Sequence, residues 1–319
     1  MSDPLISAQQ LVELMSSPAT ANRTVILDCR WDMTDSGQAW REFQRLHISG
    51  SHYAHLEDDL CGPETANSGR HPLPDRAKFQ AWLGTQSITP ARMVVVYDDS
   101  GGAMAAARAW AMLRWVGHAE VRMLDGGLDA FLACDGPADD RDSTHFPQPP
   151  YPEREPLIDL LDFKTIENMV EGGNGNRLLD ARAPKRYTGE VIFLDKRAGH
   201  IPGARNLPYT YTLQEGRIRP LDDLKGKITD DDIHYCGSGV TSCVNVIAAA
   251  CIGIERPMAY IGSWSEWSAR SDRAECGEAG AVVAAAEAAD ELLDDVLPSD
   301  DDGDDDDEDD GVITITGDL

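Results

Sequence analysis

Two kinds of apolar segment alternate along the chain. Residues 25–27 and 93–97 are short, β-branched and uninterrupted by polar residues, which is typical of strands buried on both faces of a parallel sheet. Residues 103–116 and 243–252 are longer and rich in Ala and long aliphatic residues, which predicts helices. Strands that alternate with helices predict an α/β fold, in which helices flank a parallel sheet.

The same pattern occurs twice. Four blocks of the first half recur in the same order in the second half, namely residues 25–30 with 178–182, 47–50 with 200–203, 94–97 with 233–235, and 124–127 with 260–263. The first copy has about 15 more residues between its second and third blocks. Four matching blocks in one order indicate a duplicated domain.

The repeat sets the predicted domain boundaries. The first α/β domain covers residues 1–134 and the second covers residues 157–276. Residues 135–156 are crowded with Pro, Asp and Gly, which predicts an interdomain linker. Residues 277–319 lie outside both copies and end in a run of Asp and Glu, which predicts a disordered acidic tail.

The net charge of −28 is unevenly placed. The predicted tail holds 17 of the 56 acidic residues and none of the 28 Lys and Arg residues. The remaining 39 acids against 28 bases give a moderately acidic body. Neither part has the basic surface that nucleic acid binding requires, so no nucleic acid partner is expected.

The chain has no feature that indicates export, a membrane or a metal. The N-terminus lacks a basic segment followed by an apolar one, and no apolar run approaches the roughly 20 residues of a membrane span. The seven cysteines form no CxxC pair and no metal-binding spacing. We therefore expect a cytoplasmic, reduced protein with no membrane partner and no metal.

One loop of the second copy carries candidate chemistry. Cys236-Gly-Ser-Gly-Val-Thr241 leads from a predicted strand into a predicted helix, whereas the first copy has Asp98 at the equivalent point. Gly237 and Gly239 allow backbone N–H groups to turn toward one point, and the positive end of the following helix faces the same point. The loop thus predicts that Cys236 is a stabilised thiolate.

This loop resembles the active-site loop of 3-mercaptopyruvate sulfurtransferases, and both copies resemble rhodanese domains. The resemblance covers roughly residues 5–272 and includes the His-Ile-x-Gly blocks at His47 and His200 and the Gly-Ser-Trp block at residues 262–264. It implies two tandem rhodanese-like domains, of which the second is catalytic.

The resemblance also implies the reaction. The Cys236 thiolate would take a sulfur from 3-mercaptopyruvate, and a thiol acceptor, such as a thioredoxin-like protein, or cyanide would remove it from the Cys236 persulfide. The N–H groups of Gly237, Gly239, Val240 and Thr241 would hold the persulfide and the substrate without a metal or an organic cofactor.

Phosphatases with a CX5R loop also surround a cysteine with backbone N–H groups. They need an arginine six residues after the nucleophile in order to bind a phosphate dianion. Ser242 stands at that position, and the phosphatase interpretation therefore fails.

The donor is inferred from charge. Thiosulfate-specific rhodaneses carry basic side chains directly after the cysteine, whereas Gly237 and Ser238 are neutral. The resemblance gives Arg186 as an arginine that binds the donor carboxylate. A second such arginine should precede the His200 block, where the chain is shortened, and Arg197 is the candidate. Thiosulfate:cyanide transfer remains an alternative.

The resemblance further implies a proton relay. A histidine of the first copy should pair with Ser238, and His47 is the candidate, with Asp35 as its acidic partner and Asp32 as the second choice. His200 is expected to be structural. A different class of function is a persulfide carrier that hands sulfur to a protein through the acidic tail.

Overall fold

A computed structural model describes residues 3–103, 105–143, 146–277 and 280–282. The N-terminal half contains these strands and helices: β1 (Leu5–Ile6), α1 (Ala8–Ser16), α2 (Pro18–Ala21), β2 (Thr24–Asp28), α3 (Gln38–Arg45), β3 (His47–Ile48), β4 (His52–Tyr53), α4 (Leu56–Asp59), α5 (Arg76–Thr85), β5 (Met93–Tyr97), α6 (Ala106–Trp115), β6 (Val121–Leu124), α7 (Gly127–Leu132) and β7 (Ala138–Asp139).

The C-terminal half repeats the alternation. Its elements are β8 (Asp159–Leu160), α8 (Phe163–Glu171), a 3₁₀ turn (Gly175–Arg177), β9 (Leu178–Asp180), α9 (Pro184–Thr188), β10 (Arg205–Asn206), α10 (Tyr209–Thr212), β11 (Leu213–Gln214), β12 (Arg217–Ile218), α11 (Leu221–Leu224), β13 (Ile233–Tyr235), α12 (Ser242–Cys251), β14 (Met258–Ala259) and α13 (Ser263–Arg270).

Each half builds one five-stranded parallel sheet. The strand order is β1-β6-β5-β2-β4 in the first sheet and β10-β9-β13-β14-β8 in the second. In the first sheet β2 and β5 pair along their whole length, with Val25 opposite Val94 and Leu27 opposite Val96. These side chains are 3% exposed or less, because helices cover both faces. The predicted α/β fold with two flanked parallel sheets is confirmed.

Helices α6 and α12 join the two domains. They pack against each other within one apolar cluster that contains Ala106 and Ala109 of α6 and Val246 and Ile247 of α12. The small Ala side chains let the two helices approach closely. The predicted catalytic loop, which precedes α12, therefore lies directly beside the first domain.

The linker packs on the first domain. Strand β7 pairs antiparallel with β3. Tyr151 is 3% exposed, its N–H donates to Gln80 O at 2.8 Å, and its hydroxyl lies 3.0 Å from Nδ1 of His118. The described residues of this segment thus contact the first domain near both of its ends.

Described residues just beyond the predicted boundary at residue 276 contact the second domain. The Gly277 N–H donates to Thr188 O at 2.9 Å, and the Val282 N–H donates to Asn206 O at 2.9 Å, so residues near 280 are bonded to the second domain. The acidic run itself lies outside the described residues. None of the helices in the described part of the chain combines the length and apolar character that a bilayer span requires.

Candidate active site

Cys236 lies at the carboxyl end of strand β13, where parallel sheets commonly place their functional groups. Its side chain is buried, and its Sγ accepts the N–H of Gly239 at 3.1 Å. Six residues further on, Ser242 begins helix α12. The loop therefore wraps around the sulfur with backbone donors on its inner side, as the sequence predicts.

The surroundings of Cys236 favour the thiolate. Burial alone would raise the pKa of this thiol, but hydrogen bonds from the Thr241 hydroxyl and from the N–H groups of Ser242 and Ser238 outweigh it, and the pKa lies below its usual value. Such donors stabilise the charged form by fixed dipoles. The loop therefore lowers the free energy of the Cys236 thiolate relative to the thiol.

The two loop glycines serve different purposes. Gly239 has φ of +80°, and a Cβ there would lie 2.1 Å from the carbonyl oxygen of Ile261, so only glycine fits. A Cβ on Gly237 would instead lie 2.8 Å from Nη2 of Arg186 and 3.1 Å from Nη2 of Arg70. Gly237 therefore leaves room for two arginines beside the cysteine.

The Gly-Ser-Trp block at residues 262–264 is hydrogen-bonded to the backbone of the Cys236 loop. The Ser263 hydroxyl accepts the Cys236 N–H at 3.2 Å, the Trp264 N–H donates to Cys236 O at 3.0 Å, and the Ser265 N–H donates to Gly237 O at 2.9 Å. Val240 is buried in the apolar cluster shared by the domains. Helix α13 and the core together hold the loop rigid.

The equivalent loop of the first copy also directs backbone N–H groups at one point, and the carboxylate of Asp98 occupies that point. The carboxylate of Asp98 accepts the N–H groups of Ser100 at 2.9 Å, Gly102 at 2.7 Å, and Ala105 and Ala106 at 3.2 Å. The loop thus directs backbone N–H groups at one buried acidic side chain in both domains. In the first domain that side chain is the Asp98 carboxylate, and no thiol stands in its place.

The histidine beside Ser238 is His71. Its Nδ1 lies 2.9 Å from the Ser238 hydroxyl, and its ring contacts the edge of Trp31 at 5.8 Å between centroids. Burial, with the nearby charges of Arg108 and Arg70, lowers the pKa of His71 to about 4. The neutral imidazole at pH 7 can therefore accept the Ser238 proton.

The predicted pairing of His47 with Ser238 is wrong. Both ring nitrogens of His47 face backbone carbonyls, Nδ1 at 2.7 Å from Phe43 O and Nε2 at 3.1 Å from Arg141 O. His200, its counterpart in the second copy, contacts Tyr187 O at 2.7 Å in the same way. His47 therefore supports the turn and the linker, as His200 supports its own turn.

Asp35 and Asp32 also lie outside the relay. Asp35 is exposed, accepts the N–H of Gly37 at 2.9 Å and pairs with Arg41. Asp32 accepts the N–H of Thr34 at 2.7 Å. Short acidic side chains at these positions bond their own turn, which explains why neither reaches a histidine of the site.

Arg186 lies beside the loop, as predicted, but Arg197 does not. Nη2 of Arg186 donates to the buried carboxylate of Asp195 at 2.7 Å. The side chain of Arg197 instead pairs with exposed Asp272 at 3.4 Å. The shortened segment before His200 turns Asp195 inward and Arg197 outward, and the second arginine at the loop is Arg70 of the first domain.

Sequence reasoning missed His71 and Arg70 because they lie in the additional residues of the first copy. These residues have no counterpart in the second copy, so the repeat gave them no partner to be compared with. The unmatched segment was itself the available signal, since it carries the adjacent basic residues Arg70 and His71.

Arg108 ties the loop to the segment that bears His71. This side chain is fully buried on α6, where Nη1 donates to Gly239 O at 2.9 Å and Nη2 donates to Leu60 O at 3.0 Å and Pro72 O at 3.1 Å. One guanidinium of the first domain thus fixes both the cysteine loop and the residue after His71.

The described residues hold no cluster of three or more His, Cys, Asp or Glu side chains that could bind a metal ion. All seven cysteines are free, including the two exposed ones, Cys134 and Cys276.

Comparison with known proteins decides the family. The rhodanese-like domain matches the chain twice, at residues 7–134 and 162–270. The chain belongs to the rhodanese family. A Pseudomonas aeruginosa protein named as a probable 3-mercaptopyruvate sulfurtransferase is 39% identical over 274 residues, which cover 82% of this chain and 94% of that protein.

Further relatives agree on the class of reaction. The thiosulfate sulfurtransferase of Gallus gallus is 29% identical over 84% of this chain and 94% of its own. The structure of 3-mercaptopyruvate sulfurtransferase from Leishmania major is similar, with a TM-score of 0.72 and 26% identity over 84% of this chain and 75% of that one. The chain is a sulfurtransferase with two tandem rhodanese-like domains.

Proposed function

We propose that this sulfurtransferase moves a sulfur from 3-mercaptopyruvate to a thiol or to cyanide through a persulfide on Cys236. The observation that carries the proposal is the buried Cys236 sulfur in its cradle, with Gly239 N at 3.1 Å and a pKa below the usual value. The Ser238–His71 pair and Arg186 adjoin it. Together they supply a nucleophile, a proton path and a carboxylate partner.

The first step transfers sulfur and one proton. The Cys236 thiolate attacks the thiol sulfur of mercaptopyruvate, an S–S bond forms, and the carbon–sulfur bond breaks. Its electron pair goes to the carbon and gives the enolate of pyruvate. The thiol proton passes through the Ser238 hydroxyl and His71 to that carbon, which leaves pyruvate and a Cys236 persulfide anion.

The second step regenerates the thiolate. An acceptor thiolate or cyanide attacks the outer sulfur, and the Cys236 sulfur leaves as the thiolate held by the same N–H groups. Gly237, Gly239, Val240 and Thr241 thus contribute backbone or hydroxyl donors in the proposal. A thioredoxin-like dithiol is included among the acceptors because its second thiol can release the sulfur as hydrosulfide. Delivery through the acidic tail would involve residues outside the described ones.

Thiosulfate is the second candidate donor, and the observation that favours it is the pair of guanidinium groups at Gly237. The two donors are distinguished by kcat/KM with cyanide as the acceptor and thiocyanate as the detected product. We expect mercaptopyruvate to exceed thiosulfate by at least about tenfold, through transition-state interactions made only with the keto acid. A higher kcat/KM for thiosulfate would favour the second candidate, and no thiocyanate from either donor would overturn the proposal.

A further inference from the structure

Helix α6 carries a buried arginine that forms no ion pair with the residues that the structure describes. The guanidinium of Arg108 is fully buried, and its described hydrogen bonds to oxygen go to three backbone carbonyls, those of Gly239, Leu60 and Pro72. Its Nε is buried as well and donates to no acceptor in the same part of the chain. Carbonyl oxygens carry only partial negative charge, so most of the Arg108 charge remains uncompensated by these contacts.

Two other buried arginines show the usual arrangement. Arg30 binds Asp28 and Arg182 binds Asp180, each at 2.6 Å, and all four side chains are 6% exposed or less. Such pairing is usual because an uncompensated charge is costly in the protein interior. Arg108 therefore needs a negative charge from another source.

The two thiols nearest to this guanidinium do not supply that charge. Sγ of Cys61 lies 3.6 Å from Nη2 of Arg108, and Sγ of Cys243 lies 3.6 Å from Gly239 O, the oxygen that Arg108 also binds. Burial raises the pKa of Cys61, and it raises the pKa of Cys243 to about 12. Both are therefore neutral thiols at pH 7.

A single glycine separates Arg108 from the Cys236 sulfur. Gly239 donates its N–H to Sγ of Cys236 at 3.1 Å, and its carbonyl accepts Nη1 of Arg108 at 2.9 Å. This carbonyl shares its peptide group with the Val240 N–H, and a cation bound at the oxygen makes that N–H a stronger donor. Arg108 can thus act on the loop through its charge and through this peptide group.

We propose that Arg108 is the counter-cation of the buried anion at Cys236, which is the thiolate in the resting protein and the persulfide after sulfur transfer. The persulfide part of this inference rests on the proposed function. Burial, followed by the charges of Arg108 and Arg70, also lowers the pKa of His71 to about 4. Arg108 is thus a positioning residue of the first domain that favours a thiolate at Cys236 and a neutral His71 at the same pH.

A carboxylate placed beside Arg108 tests the proposal without removing its hydrogen bonds to the carbonyls. Cys61→Asp introduces this negative charge next to Nη2, and Cys61→Asn is the matched control of nearly the same shape without charge. Cys61→Asp should raise the pH midpoint of site-resolved Cys236 alkylation by about one unit, the effect of one charge at an effective dielectric constant of about 20. The NMR midpoint of His71 should rise as well. Cys61→Asn should leave both midpoints as they are in the unaltered protein.

Two substitutions of Arg108 itself separate its charge from its shape. Arg108→Lys keeps the cation and loses the planar fork, whereas Arg108→Gln keeps a donor and loses the charge. Arg108→Lys should keep the Cys236 midpoint near that of the unaltered protein, and Arg108→Gln should raise it by about one unit. The two Cys61 variants decide the question if Arg108→Gln folds poorly.

Equal Cys236 midpoints in Cys61→Asp and Cys61→Asn, or equal shifts in Arg108→Lys and Arg108→Gln, would overturn the proposal. Every one of these measurements uses the resting protein without a sulfur donor. Absence of mercaptopyruvate turnover would therefore contradict the proposed function and leave the role of Arg108 toward the thiolate unaffected.

Discussion

At the residue scale, Cys236 and Asp98 occupy equivalent places in two copies of one loop. Asp98 receives four backbone N–H groups on its carboxylate, and Cys236 receives the Gly239 N–H on its sulfur. The shared feature is a set of backbone dipoles directed at a buried anion. The catalytic copy differs in that its anion can attack another molecule.

We expect the Ser238–His71 pair to act on the donor that carries a thiol proton. Ser238→Ala and His71→Gln should each lower kcat with mercaptopyruvate by about 10²–10⁴-fold, the usual value of general acid–base assistance. Thiosulfate, which has no such proton, should lose much less. The double variant should be no worse than the single ones, because the residues act as one unit.

His47→Gln is the control for this relay, since His47 is a histidine of the same domain whose ring nitrogens face the backbone carbonyls of Phe43 and Arg141 and not Ser238. It should leave both donor rates near those of the unaltered enzyme. Equal losses with both donors in the Ser238 and His71 variants would show that this pair serves structure.

The pH behaviour of His71 gives a second prediction. Its pKa of about 4 lies below the ordinary 6.5, so the unfolded chain binds more protons between these values and this group destabilises the fold as the pH falls through that window. The ring signal of His71, assigned by its loss in His71→Gln, should titrate by NMR with a midpoint near pH 4. A midpoint between 6 and 7 would mean that the ring is solvated.

At the element scale, the turn from β13 into α12 depends on the conformation of Gly239. In Gly239→Ala the Cβ would meet Ile261 O, and the loop would have to move away from the sulfur. We expect the pKa of Cys236 to rise toward the ordinary value of about 8.5. Site-resolved alkylation of Cys236 at pH 7 should slow accordingly, and turnover should fall with it.

The control for Gly239 is Gly226→Ala. Gly226 also has a positive φ, of +81°, but a Cβ there meets no atom within 4 Å. This variant carries the same kind of backbone strain without a clash at the site. If Gly226→Ala slows Cys236 alkylation as much as Gly239→Ala does, the slower alkylation is caused by general destabilisation of the fold and not by the clash at Ile261 O.

The elements themselves were largely predictable from sequence. Strand β5 and helices α6 and α12 begin and end within three residues of their predicted bounds, because β-branched runs and Ala-rich segments impose different local periods. The backbone donors around Cys236 were also predictable, because Gly237 and Gly239 allow the N–H groups of the loop to turn inward. The partners contributed by the first domain were not, since His71 and Arg70 reach Ser238 and Gly237 only after α6 has packed on α12.

At the scale of the whole molecule, Arg108 of the first domain links the domains through Gly239 O of the second, and it also donates to Leu60 O and Pro72 O of its own domain. Arg108→Met would remove the guanidinium donor from all three of these carbonyls. We expect a loss of at least about 3 kcal/mol in the free energy of unfolding, measured by urea titration, together with a lower kcat, because both the cradle and the His71 segment lose their anchor.

Arg217→Met is the corresponding control. Arg217 also joins the two halves, through Asp125 O at 3.0 Å, but its side chain is 48% exposed. Its removal should change stability by about 1 kcal/mol or less. Similar losses in the two variants would contradict the role assigned to the buried Arg108.

The duplicated fold brings side chains of both copies to one place. The second domain carries Cys236 and Arg186, and the first places His71, Arg70 and Arg108 beside the same loop. The repeat could be predicted from the sequence. The side chains that the first copy places beside the Cys236 loop could not, because His71 and Arg70 lie in residues that have no counterpart in the second copy.

The most direct test of this account locates the transferred sulfur. The protein is incubated with mercaptopyruvate in the absence of an acceptor, and its peptides are analysed by mass spectrometry with fragment ions that separate Cys236 from Cys243. We expect one added sulfur atom on Cys236, its removal by cyanide, and no addition in a folded Cys236→Ser variant. Sulfur on another cysteine, or its persistence in Cys236→Ser, would contradict it.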